Sequence, residues 1–440
     1  MQVESAPDTD DTPAALESIC LSCGKRLPAI ERACPDCPTA LLRAAYPVKP
    51  FRPTDHPGIF RFTDFLPPIG AVDTKIGPCV YRSEALAAKL GLGNLHIAYN
   101  GYAPEKHAWN LTASFKDFEA LPTLLFLREH GVSAVSLASA GNTARAFAYA
   151  GALLGFNVHI VIPEALLPSL WIPAAPSLQL DCVHVTAVAG SRDYFKAIEL
   201  NQRIVREFGL TDEGGARNIA RRDGMGTAVL EHARVAGELP RHYFQAVGSG
   251  TGGIAAWEAS QRLLATGAFG ERPPHLHLAQ NAPFAPIPEA WTHGKKIEPN
   301  ADIDDQLRRI DEISAAVLAN RNPPYGLVGG VRDALRETGG RTCAVSNAEA
   351  AFAQALFEEA EGIPIGPEAG VALGALRQAL EHEAIDRKES ILLHVTGGGE
   401  SLLRRDYDLT PLEPTLRIAP EAVSAAGLKP HRSHFQALLA

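Results

Sequence analysis

The 440-residue chain holds no apolar run approaching the ~20 residues of a bilayer-crossing helix, which excludes a helical membrane span. It lacks a positive excess: 41 Lys and Arg stand against 50 Asp and Glu, for a net charge of −9 and a pI of about 5.9. That argues against nucleic acid or an anionic membrane as the main partner. The acidic opening, Met1-Gln-Val-Glu-Ser-Ala-Pro-Asp-Thr-Asp, lacks the apolar core of a signal peptide, and residues 1–19 read as a disordered lead-in. Internal repeats and low-complexity tracts are missing too. Outside one early cluster cysteine is scarce: Cys79, Cys182 and Cys343 are scattered, with Cys182 in an apolar run that suits a core residue. This usage fits a reducing, cytoplasmic compartment. With 46% hydrophobic and 21% charged residues, the composition is that of an ordinary globular protein, long enough for two or three domains.

The early cluster reads Cys20-Leu-Ser-Cys23-Gly24 and Cys34-Pro-Asp-Cys37. Two C-x-x-C pairs on tight knuckles can close a tetrahedral four-thiolate zinc site, so residues 20–46 read as a small zinc ribbon. So short a segment builds no core, and bound metal supplies its folding energy. Four thiolates leave no open coordination position, which makes the role structural.

Residues 47–110 read as an extended linker, rich in Pro and aromatics to 75, followed by the start of a large domain. A helix is expected near Ser83–Leu90 and a strand near Leu95–Tyr99. Residues 111–240 read as a smaller α/β domain and 241–440 as the large one. Short apolar strands, near Val132–Leu137, Asn157–Ile162, Cys182–Val188, Tyr243–Val247, His275–Gln280 and Ile391–Val395, alternate with helical stretches and glycine turns. That alternation predicts an α/β fold with parallel sheets covered on both faces.

Four segments carry candidate chemistry. Thr112-Ala-Ser-Phe-Lys116-Asp-Phe opens a helical run to His130, with Ser114 as its cap and Asp117 approximating a capping box. Pro122 predicts a kink in that helix. Lys116 falls in the first turn, where a cation opposes the helix dipole. A surface lysine is one reading; a buried amine, easily made neutral and able to form an imine, is the other. The remaining three segments each follow a strand, where open α/β sheets bind ligands. Ser139-Ala140-Gly141-Asn142-Thr143 offers amides and hydroxyls for a carboxylate, and Asn142 a donor for a phenolate oxygen; Asn142 or Thr143 as a plain helix cap is the alternative. Gly248-Ser249-Gly250-Thr251-Gly252-Gly253 makes a phosphate cradle at a helix start, a device that a dinucleotide site also uses. Thr396, ahead of three glycines, can meet a ring nitrogen or simply begin a turn.

This set, in this order, resembles the fold-type II pyridoxal-phosphate enzymes (tryptophan synthase β-like), in particular the cysteate synthase and threonine synthase-like family. Thr-Ala-Ser-Phe-Lys-Asp-Phe-Glu is similar to the cysteate synthase form; Phe118 and Glu119 stand where threonine synthases have Arg-Gly. The likeness spans roughly Cys20 to Arg405. It implies two parallel-sheet subdomains with an N-terminal zinc ribbon and pyridoxal 5'-phosphate as cofactor. Lys116 would be the Schiff-base lysine and the base for the Cα proton, Asn142 the contact to the 3-hydroxyl, Gly248–Gly253 the phosphate loop and Thr396 the partner of the pyridine nitrogen. The segment from Asn218 to Thr227 resembles a basic substrate segment. Arg221 and Arg222 are therefore candidates for an anionic substrate group, with a solvated helix face as the alternative. The implied reaction is β-replacement of phosphoserine's phosphate by sulfite, giving cysteate for coenzyme M biosynthesis, in a homo-oligomer. A related coenzyme M synthase acting on another sulfonate, a threonine synthase, and a non-catalytic nucleotide-binding α/β protein are the alternatives.

Overall fold

A computed structural model describes residues 16–139, 141–422 and 425–439. Two sheets carry the architecture. In the larger, Arg341–Val345, His275–Asn281, His242–Ala246, Ser390–Val395, Asn94–Tyr99 and Val80–Arg82 lie side by side in that order. All pair in parallel except the edge strand Val80–Arg82. In the smaller, Thr211–Asp212, Ala134–Ala138, Asn157–Pro163, Val183–Val188 and Leu416–Ile418 are parallel throughout. Ile391, Leu392, Leu393 and Val395 are all inaccessible, so this strand is covered on both faces by helices and alternates with no polar side. Among the described residues no helix is long and apolar enough to cross a membrane.

The expected strands and helices fall close to their sequence positions, and four features differ. First, Glu17–Cys20 is a strand pairing with Arg26–Pro28 and Leu42–Ala44, so ordered chain begins before residue 20; residues 1–15 of the expected lead-in lie outside the described residues. Second, the chain end does not stay with the large sheet, because Leu416–Ile418 completes the small one against Val183–Val188. Third, Ile219–Ala236 is one long helix. Its residues from Ile219 to Ala233 are buried all round, which erases the amphipathic period that would announce it. Fourth, Asp117–Glu129 runs unbroken across Pro122. Pro122 leaves the Phe118 carbonyl without its usual helical donor. Gly224 of the long helix packs directly onto that carbonyl; a Cβ there would stand 1.8 Å from the Phe118 oxygen.

The linker is not featureless. Ile59–Phe65 forms a 3-10 helix whose Ile59, Phe60 and Phe62 are buried in the main body. Cys182 is half-buried at the end of a 3-10 turn, just ahead of the strand rather than within it.

Candidate functional site

The lysine loop is zipped onto the loop that follows Ser390–Val395. Ser114 bridges Gly397, the Phe115 amide donates to the Thr396 carbonyl at 2.9 Å, and the Gly398 amide donates to the Ala113 carbonyl at 3.0 Å. Lys116 and Thr396 are thereby held in one place although 280 positions separate them in the chain. Gly397 admits no side chain, since a Cβ would meet Glu368 Oε1 at 2.6 Å.

Lys116 is the residue before the helix Asp117–Glu129, and Ser114 does not cap it; no side chain does. Asp117 turns back instead, accepting from the Thr112 amide at 3.1 Å and the Thr112 hydroxyl at 2.6 Å. This closes the loop on itself. Burial lifts the Asp117 carboxyl to about 7 against those two hydrogen bonds.

The Lys116 amine lies 3.2 Å from Glu119 Oε2 and 4.9 Å from the centre of the Phe115 ring. Burial lowers its pKa, and the Glu119 carboxylate works against that shift. Glu119 is itself fully buried and is shared: Arg221 Nε stands 3.1 Å from the same oxygen, and Arg221 Nη1 reaches Glu213 Oε2 at 2.8 Å. Lys116, Glu119, Arg221 and Glu213 form a chain of alternating charge.

That chain corrects the expectation for the two arginines. Neither is on a solvated face. Arg221 is already held by two carboxylates, which compete with any substrate anion for its fork. Arg222 cannot reach a substrate: its side chain is wholly inaccessible. It pairs with Glu258 Oε2 at 2.8 Å and donates to the carbonyls of Ala216 and Leu42. Leu42 belongs to the ribbon, so Arg222 fastens that module to the body. Glu119, Glu213, Glu258 and Glu368 carry no motif of their own. Only the Phe118-Glu119 departure from Arg-Gly flagged one of them in the sequence.

Ser139, Gly141, Asn142 and Thr143 lie where Ala134–Ala138 gives way to the helix Asn142–Leu154; Ala140 lies outside the described residues. Ser139, rather than Asn142 or Thr143, closes the helix: its Oγ accepts from the Ala144 amide at 3.0 Å. Gly141, Asn142 and Thr143 are half-buried. Asn142 Oδ1 accepts from Arg145, which leaves Nδ2 to donate.

The glycine loop joins His242–Ala246 to the helix Thr251–Ala265. Gly250 turns with φ 81°, a conformation that favours glycine. The first-turn amides have no intrahelical acceptor, and the Ser249 and Thr251 hydroxyls sit 2.8 Å apart beside them. This donor set fits a phosphate. The segment 315–321 links the two loops. Val317 packs where a Gly141 Cβ would point, at 3.6 Å, and a Cβ on Gly248 would stand 3.2 Å from the Leu318 carbonyl oxygen.

At the N-terminus the four sulfurs of Cys20, Cys23, Cys34 and Cys37 lie within 4.8 Å of one another, with Cys23 Sγ and Cys34 Sγ 3.8 Å apart. A zinc bound by four thiolates at about 2.3 Å has sulfur–sulfur edges of roughly 3.8 Å, so the group fits structural zinc.

Residues 105–397 match the pyridoxal-phosphate dependent enzyme family. The cysteate synthase of Methanosarcina acetivorans is 46% identical over 411 residues, covering 93% of this chain and 98% of that protein. The cysteate synthase of Methanocella paludicola is 46% identical over 400 residues, covering 91% and 93%. Among solved structures, a fungal L-serine ammonia-lyase from Rhizomucor miehei superposes with a TM-score of 0.56 at 16% identity, covering 75% of this chain and 98% of that one. A maize serine racemase superposes with a TM-score of 0.53 at 19% identity, covering 74% and 90%. These structures share the fold. The chain belongs to the pyridoxal-phosphate-dependent enzyme family, in its fold-type II group and alongside the cysteate synthases.

Proposed function

We propose that this enzyme replaces the phosphate of O-phosphoserine with sulfite, forming cysteate and inorganic phosphate. The observation that carries the reading is the 46% identity to cysteate synthases over 93% of the chain. The Lys116–Glu119 contact supports it at the residue level, since Glu119 is where this chain departs from the threonine synthase pattern.

Lys116 would hold pyridoxal phosphate, the glycine loop its phosphate, Asn142 Nδ2 its phenolate oxygen and Thr396 its ring nitrogen. When bound, the cofactor supplies an electron sink for bond cleavage at the amino acid's Cα. The protein's residues do the rest. The amides of Gly141 and Thr143 and the Thr143 hydroxyl orient the substrate carboxylate. Lys116 Nζ, pushed toward its neutral form by burial, takes the Cα proton and later returns it. Glu119 keeps that amine near a counter-charge when it is protonated, at 3.2 Å. The Cβ–O bond breaks with its electrons leaving on phosphate, and the sulfite sulfur lone pair forms the Cβ–S bond. No oxidant or reductant is consumed.

Phosphoserine and sulfite supplied to the purified enzyme should yield cysteate and phosphate in equal amounts by mass spectrometry and phosphate assay. Conversion of phosphohomoserine to threonine, with no sulfonate formed, would overturn the reading and leave the cofactor family standing.

A further inference from the structure

Arg221 and Arg222 are each paired with buried carboxylates of their own at 2.8–3.1 Å, so an anionic substrate is better served by another cation. Arg145, in the first turn of Asn142–Leu154, is differently placed. Its Nη2 donates to Asn142 Oδ1, and its guanidinium lies 4.2 Å over the ring of Trp171. Its one ion-pair partner among the described residues is Glu400, at a long 3.4 Å, and Glu400 has 44% of its side chain exposed. Arg145 itself has only 11% exposed, and its Nε is buried with no hydrogen-bond partner among the described residues. The same Glu400 carboxylate is held more closely from outside by Arg404, at 2.8 and 3.0 Å. Arg404 also lies over Trp171, at 5.5 Å. Two guanidiniums thus share one aromatic ring and one half-exposed carboxylate, a cluster of formal charge +1.

The cluster sits among the loops of the site. Asn142 belongs to one, and Glu400 directly follows the Thr396 loop. The carboxylates of Asp117, beside Lys116, and Glu368, against Gly397, are close enough to act on the Arg145 charge. A buried guanidinium with one long ion pair and an idle Nε is under-compensated. An oxyanion taking the place of the Glu400 carboxylate at Nη1 would compensate the guanidinium at closer range, and an exposed carboxylate is readily displaced.

We propose that Arg145 is the anchor for the substrate's oxyanion, the phosphate of phosphoserine or the incoming sulfite, and that Glu400 is the placeholder it displaces. The choice of substrate rests on the cysteate-forming reading; the anion site does not. The test titrates the holoenzyme with inorganic phosphate by calorimetry in wild type, Arg145→Gln and Glu400→Gln, with phosphoserine and sulfite KM values measured alongside. Arg145→Gln should weaken phosphate binding by at least about 30-fold, the loss expected when a buried charge pair is truncated. Glu400→Gln should tighten it by about 3-fold or more, because a competitor is removed. A rise in the phosphoserine KM of Arg145→Gln assigns the anchor to the leaving phosphate; a rise in the sulfite KM assigns it to the nucleophile. Phosphate affinity unchanged in Arg145→Gln, or unchanged or weakened in Glu400→Gln, would overturn the assignment. Should Arg145→Gln fail to fold, the Glu400→Gln result decides alone. If wild type makes no cysteate while both variants shift phosphate binding as stated, the substrate reading fails and the anion site stands.

Discussion

At the scale of single residues, what matters is which charges are left without a partner. Arg221 compensates two buried carboxylates, Glu119 and Glu213. Arg221→Ala should therefore cost about 3–5 kcal/mol in urea unfolding, as expected when one partner of a buried charge set is removed. Arg308→Ala, which removes a surface pair with Glu312, should leave the midpoint unchanged. Equal losses in the two variants would contradict the buried network. Asp117 gives a pH signature. Its folded carboxyl is raised by burial from 3.8 to about 7, so the folded state binds the proton more tightly than the unfolded chain. Its contribution to stability is full below about pH 4 and is lost as pH rises toward 7. Asp117→Asn should flatten the stability profile across that window, and a profile parallel to wild type would contradict the burial. The candidates Asn142, the glycine loop and Thr396 stand out in the sequence because each is a short motif at the end of a strand, and Lys116 because it opens a helix. The fate of the arginines was not legible there, because Glu213 and Glu258 reach them only through the fold.

Elements were legible in proportion to how one-sided their surroundings are. Strands such as Ile391–Val395 announced themselves as apolar runs ended by glycine. The helix Ile219–Ala236 did not, since it is packed on every side. Its junction with Asp117–Glu129 also explains why Pro122 produces no break: the freed Phe118 carbonyl faces Gly224, where only hydrogen fits. Gly224→Ala should destabilise the fold by about 3 kcal/mol, the upper range for overpacking a closed interface. A variant as stable as wild type would mean that the two helices can part without loss.

For the whole molecule, the pairing of distant segments was hidden. Leu416–Ile418 is only three residues long, too short to carry a strand pattern, yet it completes the small sheet. The ribbon docks through Arg222 on Leu42 and through Arg32 Nη1 on Asn218 at 2.9 Å, at the start of the same long helix. The two C-x-x-C pairs made the ribbon itself legible, but not this contact. Cys34→Ser with Cys37→Ser should lose one zinc per chain by metal analysis and lower the melting temperature of the whole enzyme, not of the ribbon alone. Zinc retained at one per chain would place the metal elsewhere.

Lys116, on the loop zipped to the one that carries Thr396, is proposed to carry the cofactor. Borohydride reduction of the purified holoenzyme followed by peptide mass mapping tests it most directly. A single pyridoxyl adduct on Lys116, absent from Lys116→Ala, is expected. An adduct on any other lysine, or retained in that variant, would contradict it.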